Sequence, residues 1–432
     1  MVYNIILGRD ESDKLKFGEK GLIYLGKGYV KMGNYTSLSN KIWLDVARNH
    51  VILITGKRGS GKSYTLGVIA EEISNLPPEI SKNMSSLIFD TMGIFWTMKF
   101  KNEKERDLLD SWELEAKQLP IKVFIPFGKV DEYKKKGVPI DQTFELDASE
   151  LEAEDWISIF NLELTSNTGI FIQNVVSSLK KTKERFSLND VIEQIKKERI
   201  KEEIKEIALS LFNTAKSWGV FSLKEKGIEI SELLTPSTTN VLDISVYSSI
   251  SNFNIRALII SIISKKIFRD RMDARKKEEI QAIRRGQEYL SYEIKKEIPL
   301  VWIFIDEIHE FMGKEKTPAT EALMQILREG RQPGISLVMA TQQPGRLHSD
   351  VMTQSDIILS HRLTAKADIE ALNLIMHSYL LEGIKKQMDD LPRLKGSAII
   401  LDDNSERIYP IKVRPRFTWH GGESPSSIKA EK

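Results

Sequence analysis

The sequence contains no cysteine at any of its 432 positions. Disulfide bonds and Cys-ligated zinc are therefore excluded. Its six histidines show no HExxH or comparable metal-binding spacing. These residues give no sign of a permanent metal centre.

A large excess of either charge is also missing, because 63 Lys and Arg nearly balance 61 Asp and Glu. A nucleic-acid binder coated in basic residues would not have this balance, so any contact with DNA must come from a local basic surface such as a pore lining. The most apolar run, Ala257 to Ile263, is too short to span a bilayer. The N-terminus lacks a basic segment followed by an apolar stretch, so we expect a cytoplasmic protein without signal peptide or membrane insertion.

Buried strands alternate with helical segments along most of the chain. Continuous apolar runs are typical of strands covered on both faces in a parallel sheet. Strand and helix alternation of this kind predicts an α/β fold with a parallel, doubly wound sheet. The predicted buried strands are VILIT (51–55), SSLIFDT (85–91), IKVFIPFG (121–128), TNVLDIS (239–245), LVWIFID (300–306), ISLVMAT (335–341) and DIILSHR (356–362).

The texture of the sequence divides the chain into five parts. The first 45 residues contain short, glycine-punctuated strand patterns and predict a small β-module. Helical, highly charged texture between the strand-rich regions predicts an insertion in the α/β core. The predicted parts are an N-terminal β-module (1–45), the first part of the core (46–147), a helical insertion (148–235), the second part of the core (236–410) and a C-terminal tail (411–432).

The segment GKRGSGKS, residues 56–63, fits the phosphate-binding pattern GxxxxGK[ST]. Its glycines allow backbone N–H groups to turn toward a phosphate chain, and the following helix presents its positive N-terminal end to the same anion. Lys62 is expected to reach the β- and γ-phosphates, and the Ser63 hydroxyl to bind Mg²⁺. The predicted nucleotide-binding residues are Gly56, Lys57, Arg58, Gly59, Ser60, Gly61, Lys62, Ser63 and Tyr64.

Two further strands end in residues that suit nucleotide hydrolysis. Asp306 and Glu307 follow the strand VWIFI, where Asp306 would hold Mg²⁺ and Glu307 would polarise the attacking water. The alternative is that these two acids cap a helix N-terminus. Gln342 follows the strand ISLVMAT and is predicted to sense the γ-phosphate, the alternative being a simple turn imposed by Pro344.

Arginines end the helical segment between these two strands. Arg328 and Arg331 lie three residues apart on one face, close to the predicted C-terminus of the helix. Arginine at that position ordinarily compensates the helix dipole. In a ring-shaped ATPase, the same residue can instead reach the γ-phosphate of a neighbouring subunit.

Together these motifs resemble the HerA branch of the HerA/FtsK ATPases. The resemblance rests on RNHVILITGKRGSGKSYT, LIFDTMGIFW, VWIFIDEIHEFM, REGRQPGISLVMATQQP and the C-terminal VRPRFTWHGG, and it covers roughly residues 40 to 422. It implies a RecA-like P-loop core that binds ATP and Mg²⁺, assembles as a homohexamer, and translocates or unwinds DNA without sequence preference. Archaeal members often work with a NurA nuclease, so a NurA-like nuclease is a candidate partner.

The resemblance also implies roles for individual residues. Arg331 matches the arginine that acts across the subunit boundary, and Arg48, just before the Walker A strand, is expected to be a second one. Family members usually begin with a longer β-barrel than the 45 residues available here, so we expect a reduced barrel.

Two loops of a RecA-like core tend to face the centre of the ring. One follows the strand that ends at Asp306, the Walker B strand, and the other follows the strand that ends before Gln342, the sensor strand. Here these loops carry Lys314, Lys316 and Arg346. We expect these three residues to contact DNA phosphates. The alternative is that they are ordinary solvated side chains.

Two other functions fit the same residues. One is a motor that couples DNA to a conjugation or secretion machine. The other is a nucleotide-gated scaffold, for instance in a defence complex, in which ATP controls assembly rather than movement. DNA-stimulated ATPase activity would separate the two motors from the scaffold.

Overall fold

The computed structural model describes residues 4–32, 35–222, 227–249, 254–288, 298–363, 365–375 and 391–423. Within these ranges the strands are β1 (Ile5–Leu7), β2 (Leu22–Met32), β3 (Tyr35–Asp45), β4 (Val51–Thr55), β5 (Met84–Asp90), β6 (Ile121–Pro126), β7 (Gln142–Phe144), β8 (Thr239–Asp243), β9 (Leu300–Ile305), β10 (Ile335–Thr341), β11 (Ile357–His361), β12 (Ser397–Asp402) and β13 (Arg407–Val413).

The helices of the same ranges are α1 (Glu11–Phe17), α2 (Lys62–Ser74), α3 (Pro78–Ser81), α4 (Arg106–Ser111), α5 (Val130–Lys135), α6 (Ala153–Ile159), α7 (Asn167–Thr182), α8 (Leu188–Lys197), α9 (Glu202–Ser217), α10 (Ile230–Leu233), α11 (Ile255–Glu288), α12 (Thr320–Glu329), α13 (Ser349–Thr353) and α14 (Lys366–Ile375). Across the described residues, no helix combines the length and the apolarity needed to cross a membrane.

The thirteen strands of the described residues form one continuous sheet in the order β1-β3-β2-β13-β12-β11-β4-β10-β9-β5-β8-β6-β7. From β11 to β7 every neighbouring pair is parallel. From β11 back to β3 the pairs are antiparallel, and β1 then joins β3 in parallel. The prediction of an α/β fold built on a parallel sheet is confirmed.

The parallel part of the sheet is the core of the molecule. Strands β5, β8 and β10 are buried along their whole length, as expected for strands that are covered on both faces. Strand β4 lies between β10 and β11, and β9 lies on the far side of β10. The carboxyl ends of β4, β9 and β10 therefore meet at one edge of the sheet.

The first strands of the chain extend this same sheet. Where the glycine-punctuated sequence predicted short strands, Leu22–Met32 form the single long strand β2, with irregular pairing between Tyr24 and Gly26 and between Lys27 and Tyr29. Strand β2 pairs with β13 from the far end of the chain. Sequence reasoning also missed helix α1, which begins where the Asp10 side chain accepts a hydrogen bond from the Asp13 backbone.

The helices of residues 148–235 enclose an aromatic core of their own. The ring of Trp156 lies 5.7 Å from that of Phe160, 5.0 Å from Phe212 and 5.1 Å from Phe221. Backbone hydrogen bonds from Leu146 to Val220 and from Ser222 to Leu146, both 2.8 Å, join this group of helices to the end of β7.

The segment after β13 crosses helix α2 and is held there by a buried carboxylate. Glu71 of α2 accepts hydrogen bonds from the backbone N–H groups of Phe417 and Thr418, at 2.9 and 3.1 Å. The Arg414 guanidinium lies 2.8 Å from the same carboxylate, and the Arg416 guanidinium lies 3.7 Å away. We name residues 414–423 the C-terminal strap.

Removing the Glu71 carboxylate should strongly destabilise the fold. Glu71→Ala would leave the buried Arg416 guanidinium without its ion-pair partner and Arg414 with Glu72 alone, at 3.0 Å. Removing one partner of a buried ion pair typically costs about 3–5 kcal/mol. Urea denaturation followed by circular dichroism measures the effect. The matched control is Glu11→Ala, because Glu11 is 86% exposed in its ion pair with Lys14 and should cost about 0–1 kcal/mol. Equal denaturation midpoints for the two variants would contradict the assigned role of Glu71.

Candidate nucleotide site

The loop between β4 and α2 has the conformation that its glycines permit. Gly61 lies at φ 115°, a backbone conformation that other residues rarely adopt, and α2 begins at the next residue. A Cβ atom at Gly56 would lie 2.5 Å from the Ser60 hydroxyl and 2.7 Å from the His361 Cβ. The loop backbone therefore packs closely against Ser60 and His361. Helix α2 begins directly after the loop, and a phosphate chain would bind at the N-terminus of this helix.

Two side chains stabilise this region, one from the end of the loop itself and one from the neighbouring strand β11. The Lys62 ammonium donates a hydrogen bond to the Lys57 carbonyl at 3.4 Å. His361, at the end of the neighbouring strand β11, is buried, with Nε2 2.9 Å from the Thr65 hydroxyl and Nδ1 3.1 Å from the Ser397 carbonyl. Since a carbonyl only accepts, Nδ1 carries the ring proton. Burial lowers the pKa of His361 to about 4, so the ring stays neutral at physiological pH.

Ser63 and Asp306 meet as the sequence predicts. The Ser63 hydroxyl donates a hydrogen bond to Asp306 Oδ2, although 243 residues separate the two in the chain. Burial raises the pKa of Asp306, while Ser63 and Lys62 oppose that rise. The pair brings together a carboxylate and a hydroxyl, which are oxygen ligands of the kind that Mg²⁺ takes in proteins.

The donor set fits Mg²⁺ bound together with phosphates. Magnesium in nucleotide sites takes only one or two protein oxygens, and water and phosphate complete its shell. Ser63 and Asp306 supply two such oxygens. A complete metal cage is not expected there, and among the described residues no group of three or more His, Asp or Glu side chains could form one.

Glu307 follows Asp306 directly and has an unusual backbone conformation and environment. It adopts a left-handed conformation, φ 52° and ψ 45°, which is uncommon and costly for a residue with a side chain. Its Oε2 atom is buried without a hydrogen-bond partner. Burial, together with the charge of Asp306, raises the pKa of Glu307 to about 7. A carboxylate with this proton affinity can accept a proton from water near neutral pH.

Strand β10 ends beside Glu307. The Gln342 backbone N–H stabilises the Glu307 carboxylate, and the Gln342 side chain is half-buried. The Thr341 hydroxyl lies 3.2 Å from Nδ1 of His309, and this nitrogen is 3.4 Å from Glu307 Oε2. Burial lowers the pKa of His309, so we interpret the His309–Glu307 contact as one with a neutral ring rather than as an ion pair.

The two arginines predicted to act across a subunit boundary lie at the amino ends of the parallel strands, opposite the P-loop. Arg48 precedes β4, and Arg331 lies in the exposed turn between α12 and β10. The five residues of β4 span about 16 Å, so neither arginine reaches the P-loop of its own chain. Arg48 makes two hydrogen bonds of 2.7 Å to the Asp13 carboxylate of α1.

The two loops expected to contact DNA lie side by side. Gly313 and Leu347 form an antiparallel bridge, and the His348 backbone donates a hydrogen bond to the Met312 carbonyl at 2.9 Å. Lys314 and Arg346 are exposed next to this bridge. Lys316, 82% exposed, lies 3.8 Å from an exposed glutamate, a contact that would contribute little.

Sequence reasoning missed three contributors to this site. His309 follows Glu307 by two residues, and His361 ends the strand beside β4. Both histidines could have been found from the sequence, because each lies at or just after the carboxyl end of a predicted strand. The C-terminal strap had no local signal, because only its long-range contacts with α2 bring it to the P-loop helix.

The family model described as "Helicase HerA, central domain" matches residues 30–267. This range is more than half of the chain and includes the P-loop. The chain belongs to this family.

Comparison with individual proteins agrees with this assignment. The HerA-family chain is 25% identical over 225 residues to "DNA double-strand break repair helicase HerA" of Pyrococcus furiosus, a match that covers 48% of this chain and 38% of that protein. The chain thus aligns with well under half the length of this curated relative.

Solved structures show similarity at the level of the fold. VirB4 of Thermoanaerobacter pseudethanolicus superimposes with a TM-score of 0.55 at 11% identity, covering 96% of this chain and 98% of VirB4. The genome packaging NTPase B204 from Sulfolobus turreted icosahedral virus 2, solved with ATP-gammaS, has a TM-score of 0.34 at 14% identity, covering 84% of this chain and 97% of B204. The VirB4 similarity supports the P-loop NTPase fold.

Neutralising Glu307 should separate nucleotide binding from turnover. Glu307→Gln keeps the Ser63–Asp306 pair and should bind ATP normally while losing hydrolysis, whereas Lys62→Ala should lose productive binding. Fluorescent-nucleotide titration and phosphate release measure the two properties. Glu310→Gln is the matched control, because Glu310 lies three residues further on in an ion pair with Arg256 at 2.9 Å. Near-normal turnover by Glu307→Gln would sink the assignment.

Proposed function

We propose that this HerA-family chain hydrolyses ATP to move DNA, without regard to sequence, through the pore of a ring of six copies. The observation that carries the proposal is the convergence at one sheet edge of Lys62, Ser63, Asp306 and Glu307. Directly beside them lie the paired loops that hold Lys314 and Arg346.

In the proposed hydrolysis, each residue has one task. The P-loop backbone and Lys62 bind the phosphates, and Ser63 and Asp306 hold Mg²⁺, which supplies charge neutralisation at the phosphates. Glu307 orients a water molecule and draws its proton, since its raised proton affinity suits a base working near neutral pH. Gln342 distinguishes a bound γ-phosphate from an empty position.

The two arginines that precede β4 and β10 support the proposed ring. Arg48 and Arg331 precede β4 and β10, which are neighbours in the sheet, so both belong to one surface. Only a second copy can bring that surface to a P-loop, because the strands separate it from the P-loop of the same chain. The Asp13 carboxylate would position Arg48 for this contact.

The DNA contact is assigned to the paired loops because their basic side chains are exposed, whereas the chain as a whole carries a net charge of only +2. Positive side chains that contact phosphates give binding without sequence preference. Since the curated relative is a repair helicase, a NurA-like nuclease is a reasonable partner to test.

An ATPase assay with and without linear duplex DNA tests the proposal, with particle imaging of the same sample. We expect six-membered rings and DNA-stimulated turnover. ATPase activity that DNA does not stimulate, together with assembly that depends on ATP, would favour a nucleotide-gated scaffold. Stimulation that requires a membrane-bound partner would favour a conjugation or secretion motor.

Mixing two inactive variants tests the role of Arg331. Arg331→Ala should bind ATP but hydrolyse it about 10³-fold more slowly, a typical loss for an arginine that acts in trans. Mixed with Glu307→Gln, it should regain activity, because some interfaces then pair an intact Glu307 with an intact Arg331. Arg328→Ala is the control, since Arg328 pairs with Asp350 of its own chain. Provided that subunits exchange, activity no greater than the sum of the separate variants would show that Arg331 does not act in trans.

Replacing Lys314, Lys316 and Arg346 together with alanine should weaken DNA binding and flatten its dependence on salt. The log–log slope should fall by up to about one unit for each lost phosphate contact. Basal ATPase activity should survive, because none of the three residues is assigned to the nucleotide. The measurement is a salt titration of DNA binding.

The matched control for the loop variant replaces three exposed lysines of the helical insertion, Lys181, Lys196 and Lys197. This control removes the same charge far from the paired loops. If both triple variants bind DNA like the wild type, the loops do not contact DNA.

A further inference from the structure

A cavity of about 390 Å³ opens beside the P-loop. Its lining includes residues of the P-loop and the start of α2, the end of β13 and part of the C-terminal strap. This volume lies within the range of about 300–1,000 Å³ that is usual for small-molecule sites. The lining residues are Gly59, Gly61, Lys62, Ser63, Tyr64, Glu105, Leu108, Trp112, Leu394, Lys395, Gly396, Lys412, Val413, Arg414, Pro415, His420, Gly422 and Glu423.

We propose that this cavity binds the base and ribose of the nucleoside triphosphate, and that the C-terminal strap forms one wall of the nucleotide site. The inference rests on the proposed function, in which the P-loop binds the triphosphate. It assigns a task to the strap, which no motif in the sequence indicates.

The apolar lining of the cavity fits the faces of a base. Leu394 and Leu108 line the cavity yet are 61% and 42% exposed. Trp112 lies beside them with 8% exposure. Large apolar side chains that meet water at the rim of a cavity gain from being covered, and a base presents two flat faces of that kind.

His420 supplies a polar group of defined orientation. Its Nδ1 lies 3.3 Å from an Arg416 guanidinium nitrogen, and since arginine only donates, Nδ1 accepts and the ring proton lies on Nε2. Burial and the charge of Arg416 lower the pKa of His420 to about 3, so the ring is neutral. The cavity wall therefore contains a fixed N–H donor, which suits the oxygen and nitrogen acceptors of a nucleoside.

Tyr64, next to the catalytic P-loop residues, fixes the strap in place. Its hydroxyl accepts a hydrogen bond from the Arg416 backbone at 2.7 Å and donates one to Glu105 at 2.8 Å. Its ring makes an edge contact with His420 at 5.2 Å. Asn102 binds both Glu105, at 2.7 Å, and the Arg416 carbonyl, at 2.9 Å. Contacts within the chain thus hold this wall of the cavity in place.

The test compares ATP with inorganic tripolyphosphate, which has the phosphates but neither base nor ribose. Calorimetric titration in one magnesium-containing buffer gives both affinities for the wild type, for the double variant Leu108→Ser with Leu394→Ser, and for His420→Ala. The two leucines are partly exposed, so the double variant should fold. We expect each variant to bind ATP about tenfold or more weakly while its affinity for tripolyphosphate stays within about twofold.

Leu15→Ser is the matched control, because Leu15 is 90% exposed on helix α1, and it should change neither affinity. Unchanged ATP affinity in both variants would overturn the proposal, and so would an equal loss for the two ligands, which would place the effect at the phosphates. Failure of the proposed function has a different signature. ATP turnover that DNA does not stimulate would contradict the motor while leaving these affinities unchanged, whereas a wild type that binds neither ATP nor tripolyphosphate would contradict the P-loop assignment and the cavity assignment together.

Discussion

The parallel pairing of β4, β10 and β9 is the constraint on which the site depends. In a parallel sheet all strands run in one direction, so residues that follow each strand gather at a common edge. Ser63 and Asp306 come into contact in this way across 243 residues of chain. Glu307, Gln342 and the two paired loops follow the same strands and reach the same edge. The opposite edge receives Arg48 and Arg331 for the same reason.

The parallel sheet was predictable because its signals are local, and the P-loop residues were predicted from a signal that is equally local. A strand buried on both faces must be apolar throughout, and a phosphate loop needs glycines at fixed positions. The pairing of β2 with β13 has no such signal, since antiparallel register depends on a partner from the far end of the chain. The same limit applies to the C-terminal strap. Its residues VRPRFTWHGG carried the family resemblance, but their task depends on Glu71 and Tyr64, which no spacing rule connects to them.

Buried charge holds two separate parts of the structure together. Glu71, near the C-terminal end of α2, holds the C-terminal strap against that helix. Before β4, His50 is buried with Nδ1 2.5 Å from Asp356, and Asp45 lies 3.7 Å from its second nitrogen. Although burial disfavours the charged ring, these two carboxylates raise the pKa of His50 to about 9. Asp45 is also paired with Arg9 at 2.5 Å. Buried ion pairs of this kind are costly to break. They therefore stabilise the part of the fold that carries Arg48.

The long-range pairing of β2 has a consequence for synthesis on the ribosome. Gly26 of β2 pairs with Val413 of β13, so the partner strand emerges roughly 390 residues later. At about 5–20 residues per second, the β2–β3 hairpin waits roughly 20–80 s with one edge unpaired. An open edge invites pairing with other nascent chains. The irregular pairing around Tyr24 and Lys27, and the lysine itself, are features that discourage such pairing. The same irregularities that shape the finished sheet thus protect the hairpin while the chain is incomplete.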